Sequence, residues 1–121
     1  MKSIPNLTRS LVVVAGIVAA CAAQACMNDY VQKHGNRDWE DMILYTTCEP
    51  CPMCMTALVW ARIGGVVFAS SSFSPALTTS VGEPIGISAQ DVVDKTPFYK
   101  PMLLGGVLAA ETDRMFVDRK R

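Results

Sequence analysis

The 121-residue sequence is poor in the features that nucleic-acid-binding and membrane-spanning proteins need. Its formal net charge at pH 7 is zero and aromatic residues make up only 7%, so a basic surface with aromatic rings for binding a nucleic-acid duplex is not predicted. The apolar run over residues 11–20 is shorter than the roughly 20 residues that an ordinary transmembrane helix requires. The composition fits a single domain that binds a small molecule of nucleotide size or less.

Acidic residues are missing from the first 28 residues, where Lys2 and Arg9 are the only charged side chains. Two basic residues, the apolar run over 11–20 and the small residues that follow it have the layout of a secretory signal peptide. The sequence Val-Ala-Ala-Cys over 18–21 also resembles the cleavage box of a lipoprotein signal, which would place a lipid anchor on Cys21. An ordinary apolar helix that packs in the core accounts for the same residues.

These two alternatives determine the expected domain organisation. Residues 1–25 form either a signal-like segment or an apolar helix, and residues 26–121 form one domain. A functional signal would export the protein or anchor it to a membrane.

The rest of the sequence alternates between helical and strand-like segments. Good helix formers without proline predict a helix over 15–33, with Gly35 as its stop. The later segments predict a strand over 42–46, a helix over 53–62, a strand over 66–69, a long loop over 70–83, a short strand over 85–87, a helical turn over 89–94, a loop over 96–101 and a final helix over 107–119. Strand, helix and strand in succession predict a parallel βαβ unit, so the fold class is α/β.

Three of the five cysteines, Cys48, Cys51 and Cys54, lie within seven residues. Such crowding favours metal binding over disulfide crosslinks. Cys51 and Cys54 are separated by two residues at the expected start of a helix, and this spacing lets two sulfur atoms converge on one tetrahedral ion. Redox pairs and structural zinc sites use the same spacing, so the pair alone does not define the function.

The residues around this pair resemble a known family. The sequence YTTCEPCPMC over 45–54, followed by Trp60 and Arg62, resembles the second half of the signature of cytidine deaminase-like zinc deaminases. The sequences TPFY over 96–99 and LGGVLA over 104–109 resemble the C-terminal part of bacterial guanine deaminases and related nucleoside deaminases. The tRNA adenosine deaminases share much of the first passage, so the substrate stays open.

The resemblance implies a fold, a cofactor and an activity. It implies a three-layer α/β fold, truncated at its N-terminus, whose short mixed sheet contains the parallel βαβ unit. It implies that Cys51 and Cys54 hold Zn²⁺ together with a histidine or a third cysteine, that the metal activates a water, and that a nearby glutamate transfers protons. The reaction would be hydrolytic deamination of a nucleobase or nucleoside, with guanine favoured, by a cytoplasmic homodimer. Phe98 and Tyr99 are candidates for stacking on a flat base.

The sequence departs from the family at its N-terminal half. The family expects a His-x-Glu triplet on the helix before the first motif strand, but the only histidine, His34, has no glutamate two residues later and is predicted to lie on the surface. Aligning the family pattern with the N-terminal helix places Val14 at the ligand position and Gly16 at the acid/base position. Valine offers no lone pair to zinc and glycine no exchangeable side-chain proton, so the catalytic residues are unknown.

Two neighbouring side chains offer partial substitutes. Cys48 could act as a third ligand, but the resemblance treats it as a non-ligand, and we expect its sulfur to point away from the pair. Glu49 could act as a base, but in the family this position is structural. Three hypotheses therefore stay open: an active zinc deaminase, a non-catalytic degenerate deaminase fragment, and an exported zinc-binding lipoprotein or structural zinc module.

Overall fold

The computed structural model describes residues 11–12, 19–35 and 39–118, with side chains for 27–35 and 39–118. The described elements are β1 (Leu11–Val12), α1 (Ala19–His34), β2 (Ile43–Cys48), α2 (Pro52–Trp60), β3 (Gly65–Ser70), α3 (Pro75–Val81), α4 (Ala89–Lys95), β4 (Met102–Leu104) and α5 (Ala109–Val117). The α/β class predicted from the sequence is confirmed.

The four described strands form one sheet in the order β1-β2-β3-β4. Leu44 of β2 is paired with Val66 of β3, which is paired in turn with Leu103 of β4. The predicted parallel βαβ unit is therefore present as β2, α2 and β3. The expected mixed sheet needs a correction, because all three pairings among the described strands are parallel.

Both faces of the sheet are covered, as a three-layer fold requires. All six residues of β3 are buried, which is typical of a parallel strand with packing on both faces. Helix α2 contacts α1 and α4, whereas α5 contacts β3 and α3. The largest core cluster includes Leu44, Met55, Leu58 and Val66, and Met55 and Leu58 have no exposed surface.

Local sequence signals explain where the helices begin and end. Gly35 has φ +63° and donates its backbone N–H to the carbonyl of Val31, which ends α1 at the predicted glycine. Pro52 occupies the first turn of α2, where its missing N–H costs no helical hydrogen bond. Ser88 and Asp91 form a capping box at the start of α4.

Two predictions for the segment after β3 are wrong, and one strand was missed. The segment over 70–83, predicted as a loop, contains α3. The hydroxyl oxygen of Ser74 caps the start of this helix by accepting a hydrogen bond from the backbone N–H of Leu77, with an oxygen–nitrogen distance of 3.3 Å. The predicted strand over 85–87 is a tight turn, because the N–H of Ile87 bonds to the carbonyl of Ile85 at 2.6 Å. Strand β4 was not predicted, since three residues next to two glycines give little periodicity.

The predicted boundary between residues 25 and 26 lies inside α1, which runs from Ala19 to His34. Residues Leu11 and Val12 pair with β2 in the same sheet. Val14, Gly16 and most of the apolar run fall outside the described residues, as does the side chain of Cys21. Within the described ranges, no helix has the length and hydropathy needed to cross a bilayer.

Candidate functional site

A cleft of about 170 Å³ opens where β2 ends and α2 begins. Ligands of parallel α/β proteins bind at the carboxyl ends of the strands, so this is the expected position for a site. One wall contains the end of β2 and the start of α2, and the other contains α3 and the loop after it. The cleft is lined by Cys48, Glu49, Cys51, Pro52, Ser72, Leu77, Val81, Gly82, Glu83, Pro84, Ile85 and Ile87.

Cys51 lies at the boundary between the cleft and the core. It is the N-cap residue of α2, in an extended conformation with φ −63° and ψ 163°, and its side chain does not cap the helix. Its carbonyl accepts the first helical hydrogen bond, from the N–H of Met55 at 2.8 Å. The side chain is half-buried and packs against the core while also lining the cleft.

Cys54 follows three residues later, in the first turn of the same helix. It is 1% exposed and belongs to the main core cluster, so solvent does not reach it from the cleft. The two predicted ligands therefore share the N-terminal turn of α2 but differ in accessibility. A ligand in the cleft contacts Cys51 before it contacts Cys54.

Cys48 lines the same cleft as Cys51, although the sequence led us to expect that it points elsewhere. It is 3% exposed. Burial, with smaller contributions from the charges of Cys51 and Glu49, raises the pKa of its thiol to about 11. In the metal-free protein Cys48 is thus a neutral, buried thiol at pH 7.

The carboxylate of Glu49 is fully engaged in hydrogen bonds. One oxygen accepts from the backbone N–H of Ala89 at 2.8 Å, and the other accepts from the backbone N–H of Ser72 at 2.9 Å and the hydroxyl of Ser71 at 3.0 Å. The side chain is buried. Glu49 therefore holds the segments after β3 and before α4 in place, which agrees with a structural role.

The described residues match a zinc ligand set only in part. Cys51 and Cys54 offer two sulfur donors, but among residues 27–35 and 39–118 no group of three or more potential ligands comes together. His34 lies at the end of α1, exposed, with its ring 4.5 Å from that of Tyr30. Its exposed position is the one that the sequence predicted, and it does not line the cleft.

Phe98 and Tyr99 do not line the cleft. Phe98 packs on Trp60, with ring centroids 4.9 Å apart, and the hydroxyl of Tyr99 donates to the carbonyl of Ile63 at 3.0 Å. Both contacts lie at the C-terminal end of α2, a helix of about 13 Å length, whereas Cys51 lies at its N-terminal end. Residues 98 and 99 precede β4 at the amino edge of the parallel sheet, so the structure does not bring them to the cysteines.

Sequence reasoning missed the second wall of the cleft. The sequence predicts Leu77 and Glu83 in a long loop and Ile85 in a short strand, and it assigns none of them to a ligand. The serine–proline pair at 74–75 is a helix-start signal that would have predicted α3. No local signal shows that the loop after α3 returns to Cys51, because that arrangement depends on tertiary contacts.

Comparisons with known proteins relate the chain to zinc-dependent deaminases. The family described as the cytidine and deoxycytidylate deaminase zinc-binding region matches residues 8–70. A guanine deaminase of Bacillus subtilis is 58% identical over 31 residues, which is 26% of this chain. A probable cytosine deaminase of Schizosaccharomyces pombe is 38% identical over 60 residues, or 47% of the chain. A tRNA(Ile)-lysidine synthase of Deinococcus radiodurans is 30% identical over 100 residues, or 83% of the chain.

The aligned segments make up only a minor part of these relatives. They cover 20% of the guanine deaminase, 37% of the cytosine deaminase and 16% of the lysidine synthase. The activity of each whole relative therefore depends on many residues outside the aligned segment.

Proposed function

The chain belongs to the family defined by the cytidine and deoxycytidylate deaminase zinc-binding region, and we propose that it is a zinc-binding deaminase-type domain for a nucleobase, preferably guanine, with impaired turnover of its own. Cys51 and Cys54 are the proposed zinc ligands. The observation that carries this proposal is the position of Cys51 at the N-cap of α2 and of Cys54 in its first turn, where Cys51 lines a cleft at the carboxyl end of a parallel sheet.

The guanine preference is supported by local identity. The segment shared with the Bacillus guanine deaminase is 58% identical, against 38% for the longer segment shared with the cytosine deaminase. The passages over 96–99 and 104–109 do not support it, because none of their residues lines the cleft.

The impaired turnover is inferred from Val14 and Gly16. The family match begins at residue 8, so it includes these two positions, which supports aligning them with the family's histidine and glutamate. Neither residue ligates zinc or transfers a proton. General acid/base help contributes a factor of about 10² to 10⁴ in rate, and loss of a metal ligand lowers turnover further.

The test is an assay for ammonia release from guanine, guanosine, cytosine, cytidine and adenosine, with zinc supplied. We expect the unmodified chain to show no turnover above the background of a Cys51→Ala variant. The variant Val14→His/Gly16→Glu restores the family residues and is expected to gain activity on guanine first.

Each outcome decides between the hypotheses. Turnover by the unmodified chain that disappears in Cys51→Ala contradicts the impaired state and supports an active deaminase. Activity of the double variant on cytosine but not on guanine contradicts the guanine preference. Zinc binding with silence in both chains supports the non-catalytic alternative.

A further inference from the structure

Cys51 and Cys54 form a pair with one accessible and one buried sulfur. Cys51 is half-buried and lines the cleft, whereas Cys54 is 1% exposed and belongs to the core. Neither is part of a disulfide in this structure. Thiol–disulfide exchange begins when an accessible cysteine attacks a substrate disulfide, and it is completed when a second cysteine attacks the mixed disulfide. The two sulfurs differ in accessibility as these two steps require.

The backbone of α2 brings the two residues to disulfide distance. The carbonyl of Cys51 accepts the first helical hydrogen bond, from the N–H of Met55 at 2.8 Å, so the Cα atom of Cys51 already lies on the helical path. Residues three positions apart on an α-helix have Cα atoms about 5 Å apart, and disulfides join Cα atoms at about 4.4–6.8 Å. A bond between Cys51 and Cys54 therefore needs little movement of the backbone.

Cys48 is the competing partner for Cys51, because it lines the same cleft three residues earlier in the chain. It ends β2, and Glu49 precedes Pro50, which favours an extended conformation at Glu49. An extended chain separates residues three positions apart by about 10 Å. The backbone thus favours Cys54 over Cys48 as the partner of Cys51.

The cleft beside Cys51 has charged groups of one sign. Most of its wall is apolar, and the charged residues that line it, Glu49 and Glu83, are both acidic. None of the described lining residues is basic. A cleft lined by charges of one sign attracts ligands of the opposite sign, and the volume of about 170 Å³ limits the ligand to a small molecule. The cleft therefore suits a small cation.

We propose that Cys51 and Cys54 are also a thiol–disulfide exchange pair, which reduces small cationic disulfides in the cleft when no zinc occupies the two sulfurs. The Cys51 thiolate attacks one substrate sulfur, the substrate S–S bond breaks, and one thiolate leaves. The Cys54 sulfur then attacks the Cys51 sulfur and closes the Cys51–Cys54 disulfide. The second half of the substrate leaves as a thiol with the Cys54 proton. The cysteine pair loses two electrons and the substrate gains them.

The experiment maps disulfides in the full 121-residue chain. The reduced chain is kept zinc-free by a chelator, treated with the cationic disulfide cystamine, quenched with acid and digested with trypsin, and its peptides are weighed. The peptide over residues 38–62 contains Cys48, Cys51 and Cys54 but neither of the other two cysteines. In the variant Cys48→Ala this peptide contains only the proposed pair.

We expect this peptide to lose two hydrogen atoms and to carry no cystamine half in the Cys48→Ala chain. In the unmodified chain the same bond joins Cys51 to Cys54. The variant Cys54→Ala should stop at the mixed disulfide on Cys51. A disulfide between Cys48 and Cys51 in the unmodified chain overturns the proposal. Two separate cystamine adducts, or no reaction, in the Cys48→Ala peptide also overturn it.

The part of the cleft is tested by the charge of the substrate. The rate of pair oxidation by cystamine is compared with the rate by the anionic glutathione disulfide, and each is divided by its rate with the urea-unfolded chain, which removes intrinsic differences in reactivity. We expect the ratio for cystamine to be roughly tenfold higher at low salt, and the difference to shrink as salt is added. Equal ratios overturn the cleft as the substrate site.

Zinc content, measured in the same preparations, separates this inference from the proposed function. Zinc supplied before cystamine should slow oxidation of the pair, because the metal occupies both sulfurs. A Cys51–Cys54 disulfide in a chain that binds no zinc supports this inference and contradicts the proposed metal site. A chain that binds zinc, but whose pair is not oxidised by cystamine after the metal is removed, overturns this inference and leaves the metal site intact.

Discussion

The carboxylate of Glu49 accepts a hydrogen bond from the backbone N–H of Ala89, with an oxygen–nitrogen distance of 2.8 Å. Glu49 follows the last residue of β2, and Ala89 is the first residue of α4. The second carboxylate oxygen bonds to Ser71 and Ser72 just after β3. One buried side chain thus joins three segments around the cleft.

Glu49→Gln should destabilise the fold although it preserves the shape of the side chain. The amide has one accepting oxygen, so it cannot accept from both Ala89 and Ser72. The Ser71 hydroxyl can reverse its bond, but a backbone N–H cannot. Leaving one buried N–H without an acceptor costs about 1–3 kcal/mol. Urea unfolding measures this loss, and a change below about 0.5 kcal/mol, the range of ordinary surface substitutions, would contradict it. Glu111→Gln is the surface control.

The stability of the reduced, metal-free protein should fall at alkaline pH because of Cys48. Burial raises the pKa of its thiol from 9.0 to about 11 in the folded state. Between these values the folded chain keeps a proton that the unfolded chain has lost. The contribution of the protonated Cys48 thiol to the free energy of unfolding is therefore complete below pH 9.0. It is lost as the pH rises towards 11, by at most about 1.4 kcal/mol per pH unit.

The control for this pH dependence is Cys48→Ala, which has no thiol to titrate. Its free energy of unfolding should decline less than that of the unmodified chain across the same window, because tyrosines and lysines titrate in both proteins. If the free energy of unfolding declines equally in both proteins, the pKa of the Cys48 thiol is the same in the folded and the unfolded chain, which contradicts the prediction.

Tyr99→Phe should lower stability without affecting the cleft. It removes the hydrogen bond from the Tyr99 hydroxyl to the carbonyl of Ile63, which is worth about 0.5–1.5 kcal/mol. Base binding should stay unchanged, because Tyr99 lies at the other end of α2 from Cys51. Thermal unfolding and equilibrium dialysis test the two statements. A guanine affinity lowered several-fold in a folded Tyr99→Phe protein would restore Tyr99 as a ligand-contacting residue.

The elements that the sequence predicted well are those with strong local signals. Gly35 ends α1, and the apolar segments on either side of α2 form β2 and β3, as expected. The cysteine motif predicted where α2 begins, because prolines that suit a helix start lie on both sides of Cys51.

The far wall of the cleft could not be predicted, for a physical reason. Glu83 and Ile85 line the cleft together with Cys51. Glu49 holds both ends of the segment that contains them, through Ser72 and Ala89, which are 23 and 40 positions away from it. The positions of Phe98 and Tyr99 likewise depend on pairing between segments that are distant in the sequence. Their aromatic rings suit a base, but the parallel register of Gly65 with Met102 places them at the opposite edge of the sheet.

Zinc content after dialysis tests the central claim most directly, by comparing the unmodified chain with Cys51→Ala, Cys54→Ala and Cys48→Ala. If Cys51 and Cys54 hold the metal, the unmodified chain and Cys48→Ala retain roughly one zinc ion per chain, and the other two variants lose it while keeping their helical circular dichroism. Zinc retained by a Cys51→Ala/Cys54→Ala double variant, or lost only in Cys48→Ala, would contradict the account.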